Sequence, residues 1–147
     1  MKNIVVTLFL LISINTFAQN DVDRWVDSVF NTLTLEQKVG QLVNLRANAP
    51  NKDFNAYIDE YIAKYNIGGV TFFRTDAEKL LKQANEWQAK AQTPMMVAID
   101  GEWGIGMRIN DGISYPYQMT LGAITNDSLI AEMGRQIAEQ CTRLGIN

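Results

Sequence analysis

The chain has 147 residues, of which 47% are hydrophobic, 20% charged and 10% aromatic, and its formal net charge is −3. This composition is that of an ordinary globular protein, which excludes collagen, coiled coils and wholesale disorder. The near balance of charges gives no broad electrostatic reason to bind nucleic acid. Because the chain contains one cysteine and no histidine, these residues cannot form a disulfide framework, a multi-cysteine metal site or a Ser-His-Asp triad.

The first 18 residues have the pattern of a secretory signal peptide. Lys2 provides a basic start, an apolar run follows over residues 4–12, and Thr16 and Ala18 place small residues before the expected cut. The apolar run falls well short of the ~20 residues that a membrane-spanning helix needs. We therefore expect cleavage after Ala18, a mature domain over residues 19–147 without a membrane span, and a periplasmic or secreted location.

The mature chain alternates predicted helices with predicted strands. Apolar spacing predicts a first helix over 21–33, and Thr34 with Gln37 forms a capping box that begins a second. In chain order there follow a strand over 41–45, a helix over 54–65, a strand over 70–73, a helix over 76–92, a strand over 95–99, a helix over 126–144 and the start of a strand at 145–147. This alternation predicts an α/β fold with a parallel sheet, either open and doubly wound or closed into a barrel.

Several single residues have structural interpretations. Gly68 and Gly69 are predicted to stop the helix before them, and the apolar run over 95–99 is typical of a strand covered on both faces. Trp25 and Trp87 fall at core spacing in their helices. We interpret Cys141 as a buried small apolar residue and Asp111, between Asn and Gly, as a turn residue.

The loop that follows the strand over 95–99 carries the residues suited to chemistry. Asp100 is the first polar residue after the apolar run, three glycines follow at 101, 104 and 106, and Trp103 and Arg108 lie among them. Ligands of parallel α/β folds bind at the carboxyl ends of strands. A carboxylate, a flat aromatic face and a guanidinium are what recognition of a polyhydroxylated ligand needs. The alternative, which the residues leave open, is an Asp100–Arg108 ion pair that only holds the loop.

Two further charged residues lie near this loop. Arg74 follows the strand over 70–73 at its carboxyl end and could reach the same cleft. Glu102 shares a face with Asp100 in extended chain, and we assign it no catalytic role. The spacing of Gly104 and Gly106 does not fit a dinucleotide-binding fingerprint, since Ile109 stands where its last glycine would be. We expect a carbohydrate partner and neither a cofactor nor a metal.

Five segments of the mature chain form a recognisable series. They are 33–42 (LTLEQKVGQL), 67–73 (IGGVTFF), 97–104 (VAIDGEWG), 115–123 (YPYQMTLGA) and 144–147 (LGIN). In this order and at this spacing, the segments together resemble the N-terminal domain of glycoside hydrolase family 3. The bacterial β-N-acetylhexosaminidases are the branch to which they look most similar.

The resemblance implies a (β/α)₈ barrel and a retaining glycosidase with an aspartate nucleophile. It implies that Asp100 and Arg108 bind the sugar next to the scissile bond. In that branch the acid/base lies on a histidine-containing loop and the nucleophile on a later strand, and this chain contains no histidine. The sequence departs from the branch at Gly101 and Trp103, which bears on the choice of sugar.

Length adds an expectation about the extent of the domain. A barrel of this kind needs ~250 residues, about twice the 129 that remain after the signal peptide. We therefore expect residues 19–147 to be the N-terminal part of an exported glycosidase, inactive by itself. The alternatives are a β-glucosidase-type member of the same family and a non-catalytic carbohydrate-binding module.

Overall fold

The computed structural model describes residues 20–47 and 52–147, with the side chains of 52–54 left aside. The signal peptide and its cleavage after Ala18 lie outside these residues and stay a prediction. The chain divides into one unit that ends at Leu33 and a second that spans Thr34–Asn147. Among the described helices, none is both long and apolar enough to cross a membrane.

The first unit contains one described helix, α1 (Asp21–Thr32), as the apolar spacing predicts. Asn20 caps it, because its side-chain oxygen accepts a hydrogen bond from the backbone N–H of Asp23 at 2.8 Å. The interpretation of Trp25 as a packing residue was wrong, since Trp25 is 55% exposed and α1 has no buried residue. The physical reason is that this unit contains no other described element to cover the apolar face of the helix.

The second unit alternates helices and strands in the predicted order. Its elements are α2 (Leu35–Gly40), β1 (Asn44–Ala47), α3 (Lys52–Tyr65), β2 (Gly69–Phe72), α4 (Ala77–Lys90), β3 (Met96–Ile99), α5 (Gln118–Leu121) and α6 (Asp127–Arg143). The predicted capping box of α2 is present, with Thr34 and Gln37 bonding each other's backbone N–H. Asn126 caps α6 in the same way as Asn20 caps α1.

The three strands form one parallel sheet in the order β1-β2-β3. Leu45 lies beside Val70, and Val70 beside Val97. β1 and β2 are each followed by a helix that returns the chain to the start of the next strand, which is why neighbouring strands run in the same direction. The predicted parallel α/β architecture is therefore confirmed.

One face of the sheet packs on the helices and forms the core. Phe72 stacks on Trp87 of α4 with ring centroids 5.7 Å apart, and both are fully buried, as the core interpretation of Trp87 predicts. The other buried apolar residues of this core include Ala47, Val70 and Val97 from the strands and Ile58, Ile62, Leu80 and Ala84 from the helices. The core fixes the positions of the strand ends that carry the polar residues.

The opposite face of the sheet, here called the open face, is much more exposed. It carries the alternate side chains of the strands, among them Asn44, Arg46, Thr71, Met96 and Ala98. The expectation that β3 is covered on both faces was wrong, because Met96 is 59% exposed whereas its neighbour Val97 is buried. Side chains of a strand alternate between faces, and the described helices pack on the face of Val97.

The end of α3 and the last residues of the chain differ in detail from the sequence prediction. Helix α3 ends at Tyr65, and Asn66, with φ of 50°, takes the left-handed conformation that ends it. Gly68 and Gly69 follow and lead into β2 rather than stopping the helix. At the other end, the Asn147 N–H donates to the Val97 carbonyl at 3.0 Å, so the residues predicted to start a strand bond to the outer edge of β3.

Candidate functional site

The loop after β3 folds into a compact turn with apolar anchors. Gly104 adopts φ of 91° and ψ of 177°, a conformation that is essentially restricted to glycine. A 3₁₀ turn, Ile105–Met107, follows directly, and Ile105 and Ile109 are buried in the core. The glycine therefore lets the chain reverse so that these two isoleucines point inward and Arg108 points back to the end of β3.

Hydrogen bonds fasten this loop to the start of α4. The Thr75 N–H donates to the Arg108 carbonyl at 3.1 Å, and the Asn110 N–H donates to the Thr75 carbonyl at 2.9 Å. A carboxylate oxygen of Asp111 accepts from the Ala77 N–H at 2.9 Å, which satisfies a free donor in the first turn of α4. Asp111 is thus a turn residue, as predicted, and also caps a helix 34 residues earlier in the chain.

Asp100 and Arg108 meet at the carboxyl end of β3. Arg108 Nε donates to the Asp100 backbone carbonyl at 3.1 Å, and a terminal guanidinium nitrogen pairs with Asp100 Oδ2. The Asp100 side chain is 39% exposed and the Arg108 side chain is 21% exposed, so solvent reaches the pair. Asp100 Oδ1 has no partner among the described residues, and it remains able to accept hydrogen bonds from a ligand.

Two residues that the sequence reasoning missed complete this cluster. The ring of Phe73, the residue after β2, lies 4.8 Å from Arg108 Cζ and 4.4 Å from Arg46 Cζ. Arg46 lies on β1 between Leu45 and Ala47, so strict alternation places it on the open face. The strand predicted over 41–45 stops one residue short of Arg46, so the sequence pattern alone does not place Arg46 on this face.

Aromatic residues lie on the other side of the loop. Trp103 is half-buried and meets Tyr117 edge to face, with ring centroids 4.6 Å apart. The Tyr115 N–H donates to the Trp103 carbonyl at 3.0 Å, which fixes this arrangement. Glu102 is exposed, and its carbonyl accepts from Gln118 Nε2 at 2.5 Å. Trp103 and Tyr117 together present aromatic surface of the kind on which sugar rings stack.

Two further residues that the sequence singles out are Arg74, directly after Phe73, and Cys141 on α6. Arg74 is exposed and makes no hydrogen bond or ion pair with any described residue. Cys141 is half-buried against the core, and burial raises the pKa of its thiol. Within residues 20–47 and 55–147, whose side chains the structure describes, no three carboxylate or cysteine side chains lie together in a way that could hold a metal ion.

The fold and this site define an α/β domain with a carboxylate–guanidinium pair at the carboxyl end of β3. Residues 34–147 match the sequence model of the glycosyl hydrolase family 3 N-terminal domain, and the chain belongs to that family. The three parallel strands with intervening helices agree with the N-terminal part of a (β/α)₈ barrel, so the fold predicted from the resemblance is confirmed.

One curated relative gives the comparison more detail. The chain is 28% identical to "Beta-hexosaminidase A" of Pseudoalteromonas piscicida, and the alignment covers 78% of this chain and 24% of the relative. The chain therefore spans about a quarter of the length of that relative.

Proposed function

We propose that this chain is the sugar-binding N-terminal part of an exported, retaining glycoside hydrolase that removes terminal β-N-acetylhexosamine residues. The observation that carries the proposal is the Asp100–Arg108 pair, which lies at the carboxyl end of β3 with one carboxylate oxygen free of described partners. Family membership and the name of the relative support the reaction class and the choice of sugar. The signal-peptide pattern supports export.

The pair provides complementary hydrogen bonding to a sugar. Asp100 Oδ1 accepts from ring hydroxyls, and the guanidinium N–H groups of Arg108 that Asp100 does not use donate to neighbouring oxygens. Hydrogen bonds to charged groups contribute roughly 1.5–3 kcal/mol each. The two contacts between Asp100 and Arg108 hold the guanidinium plane in place before the sugar binds, which lowers the conformational entropy that binding costs.

Residues around the pair shape the rest of the proposed sugar site. Trp103 and Tyr117 offer aromatic surface to the apolar face of a pyranose ring. Arg74, which follows β2 and makes no ion pair with a described residue, adds a donor at the same end of the sheet. We assign these three residues to substrate binding and none of them to bond cleavage.

The bond-breaking groups belong, in this proposal, to segments other than these 147 residues. A retaining glycosidase needs a nucleophile and an acid/base about 5 Å apart. The acid/base that the resemblance implies lies on a histidine-containing loop, and the chain contains no histidine. We therefore expect residues 19–147 alone to hydrolyse no glycoside.

The test is hydrolysis by the intact protein that carries this domain. We expect it to cleave 4-nitrophenyl N-acetyl-β-glucosaminide faster than 4-nitrophenyl β-glucoside, and NMR to show that the first sugar product is the β-anomer. Preference for the glucoside would replace the proposed sugar with that of a β-glucosidase-type member. Binding of the sugar with cleavage of neither substrate would favour a carbohydrate-binding module.

A further inference from the structure

Arg46, Phe73 and Arg108 form a cluster at the carboxyl end of the open face, here called the arginine cluster. Arg46 Cζ lies 4.4 Å and Arg108 Cζ 4.8 Å from the centre of the Phe73 ring. The separation of the two guanidinium carbons therefore cannot exceed the sum of these distances. Arg46 therefore lies close enough to Arg108 for one sugar and its substituent to reach both guanidinium groups.

The charges of the cluster are not balanced within the described part of the chain. Asp100 pairs with Arg108. Arg46 is exposed, and no described carboxylate lies within ion-pair distance of it. The Phe73 ring attracts a cation through its quadrupole but carries no net charge, so it leaves one positive charge uncompensated beside the proposed sugar site.

The geometry of the two guanidinium groups suits an oxyanion. A guanidinium is planar, stays protonated at all accessible pH values and presents a fixed fork of donors to carboxylate, sulfate or phosphate oxygens. Phe73 restricts Arg46 from one side, so the side chain has less conformational entropy to lose on binding. A neutral hydroxyl would leave the repulsion between the two like charges in place, whereas an oxyanion would offset it.

We propose that Arg46 binds an oxyanion carried by the sugar that Asp100 and Arg108 hold, so that the domain takes an acidic terminal sugar. This inference rests on the sugar site of the proposed function; a preference for the glucuronide would support the inference and overturn the hexosamine assignment of that function. The anionic group has two chemical sources, the carboxylate of a uronic acid and a sulfate ester on a hexosamine. Arg46 is then a specificity-determining residue, and it does not take part in bond cleavage.

The experiment compares charged and neutral members of two substrate pairs with the intact protein. The first pair is 4-nitrophenyl N-acetyl-β-glucosaminide with and without a 6-sulfate. The second is 4-nitrophenyl β-glucuronide against 4-nitrophenyl β-glucoside. We expect kcat/KM to favour the charged member at least tenfold in one pair, and that pair identifies the source of the charge.

Variants assign the preference to Arg46. In Arg46→Gln, the ratio of kcat/KM for the charged substrate to kcat/KM for the neutral substrate falls by tenfold or more. In Arg46→Lys, this ratio lies between those of the wild type and Arg46→Gln. Arg143→Gln is the matched control, because Arg143 is an exposed arginine on α6 that pairs with Glu139, and its loss changes the net charge equally. Melting curves of the three variants confirm that the compared proteins are folded.

The outcomes separate this inference from the proposed function. Hydrolysis of the neutral hexosaminide with no charge preference, or equal loss of the ratio in Arg46→Gln and Arg143→Gln, overturns the inference and leaves the function standing. Calorimetry with free N-acetylglucosamine 6-sulfate and with glucuronate provides a second readout. Binding of either acid that depends on Arg46, without hydrolysis of any substrate, overturns the function and supports the inference.

Discussion

Gly104→Ala tests whether the turn that joins Asp100 to Arg108 depends on the backbone conformation of one residue. Gly104 has φ of 91° and ψ of 177°, and a side chain in this region costs of order 1–3 kcal/mol. A Cβ would also lie 2.8 Å from Cδ2 of Tyr115. The Tyr115 ring cannot swing away freely, because its hydroxyl donates to Gln136 at 2.8 Å.

The two effects add to a substantial loss of stability. Forcing extra volume into a packed site costs typically 1–3 kcal/mol, so Gly104→Ala should lower the free energy of unfolding by about 2–6 kcal/mol. The total free energy of unfolding of a domain is only ~5–15 kcal/mol. With roughly 2–4 °C in Tm for each kcal/mol, the Tm should fall by about 4–24 °C.

Gly134→Ala is the matched control for the same chemical change. Gly134 lies within α6, and a Cβ there would meet nothing within 4 Å. Alanine in a helix interior is favoured over glycine by roughly 0.5–1 kcal/mol, so this variant should melt slightly above the wild type. Circular dichroism melts of the intact protein provide the comparison. Equal Tm values for the two variants would refute the reasoning about the turn.

Three further predictions concern single side chains. Asp111→Ala removes the cap of α4 and should lower the free energy of unfolding in urea by about 1 kcal/mol, and an unchanged midpoint would contradict the cap. Burial raises the pKa of Cys141, so its alkylation by iodoacetamide should have a pH midpoint above that of free cysteine, near ~8.5. Hydrogen bonds from Arg135 and Gln136 lower the pKa of Glu132 to about 2 from 4.5. Because the pKa of Glu132 is lower in the folded state, its ionised side chain stabilises the folded state above pH ~4.5, and this contribution is lost as the pH falls towards ~2. The Tm difference between wild type and Glu132→Gln should therefore shrink on acidification.

The helices and the parallel sheet could be predicted because their signals are local. The Thr34–Gln37 capping box and the apolar spacing of α3, α4 and α6 depend only on neighbours within a turn or two of the chain. Strand boundaries were less accurate. The strand predicted over 41–45 begins at Asn44, because Gln41 and Leu42 still bond back to Gln37 and Val39 at the end of α2.

The candidate site could be predicted only where its residues are close in sequence. Asp100 and Arg108 lie eight residues apart on one loop, and their pairing follows from that placement. Arg46 and Phe73 reach the same place through the register of three strands, which no local pattern reveals. The capping of α4 by Asp111 likewise joins residues 34 apart in the chain. Trp25 shows a further limit of local patterns. Its helical spacing correctly predicts the helix, but the spacing does not determine whether another element covers the apolar face.

The most direct test of the account is kcat/KM of the intact protein for its preferred aryl glycoside in Asp100→Ala, Arg108→Ala and Glu102→Gln. Loss of a charge-assisted hydrogen bond worth roughly 1.5–3 kcal/mol predicts a fall of ~10–100-fold or more for the first two variants, since 1.4 kcal/mol is about tenfold. Glu102→Gln, at an exposed residue, should remain close to wild type. Asp100→Ala and Arg108→Ala proteins that melt far lower yet keep wild-type kcat/KM while folded would show that the pair only holds the loop.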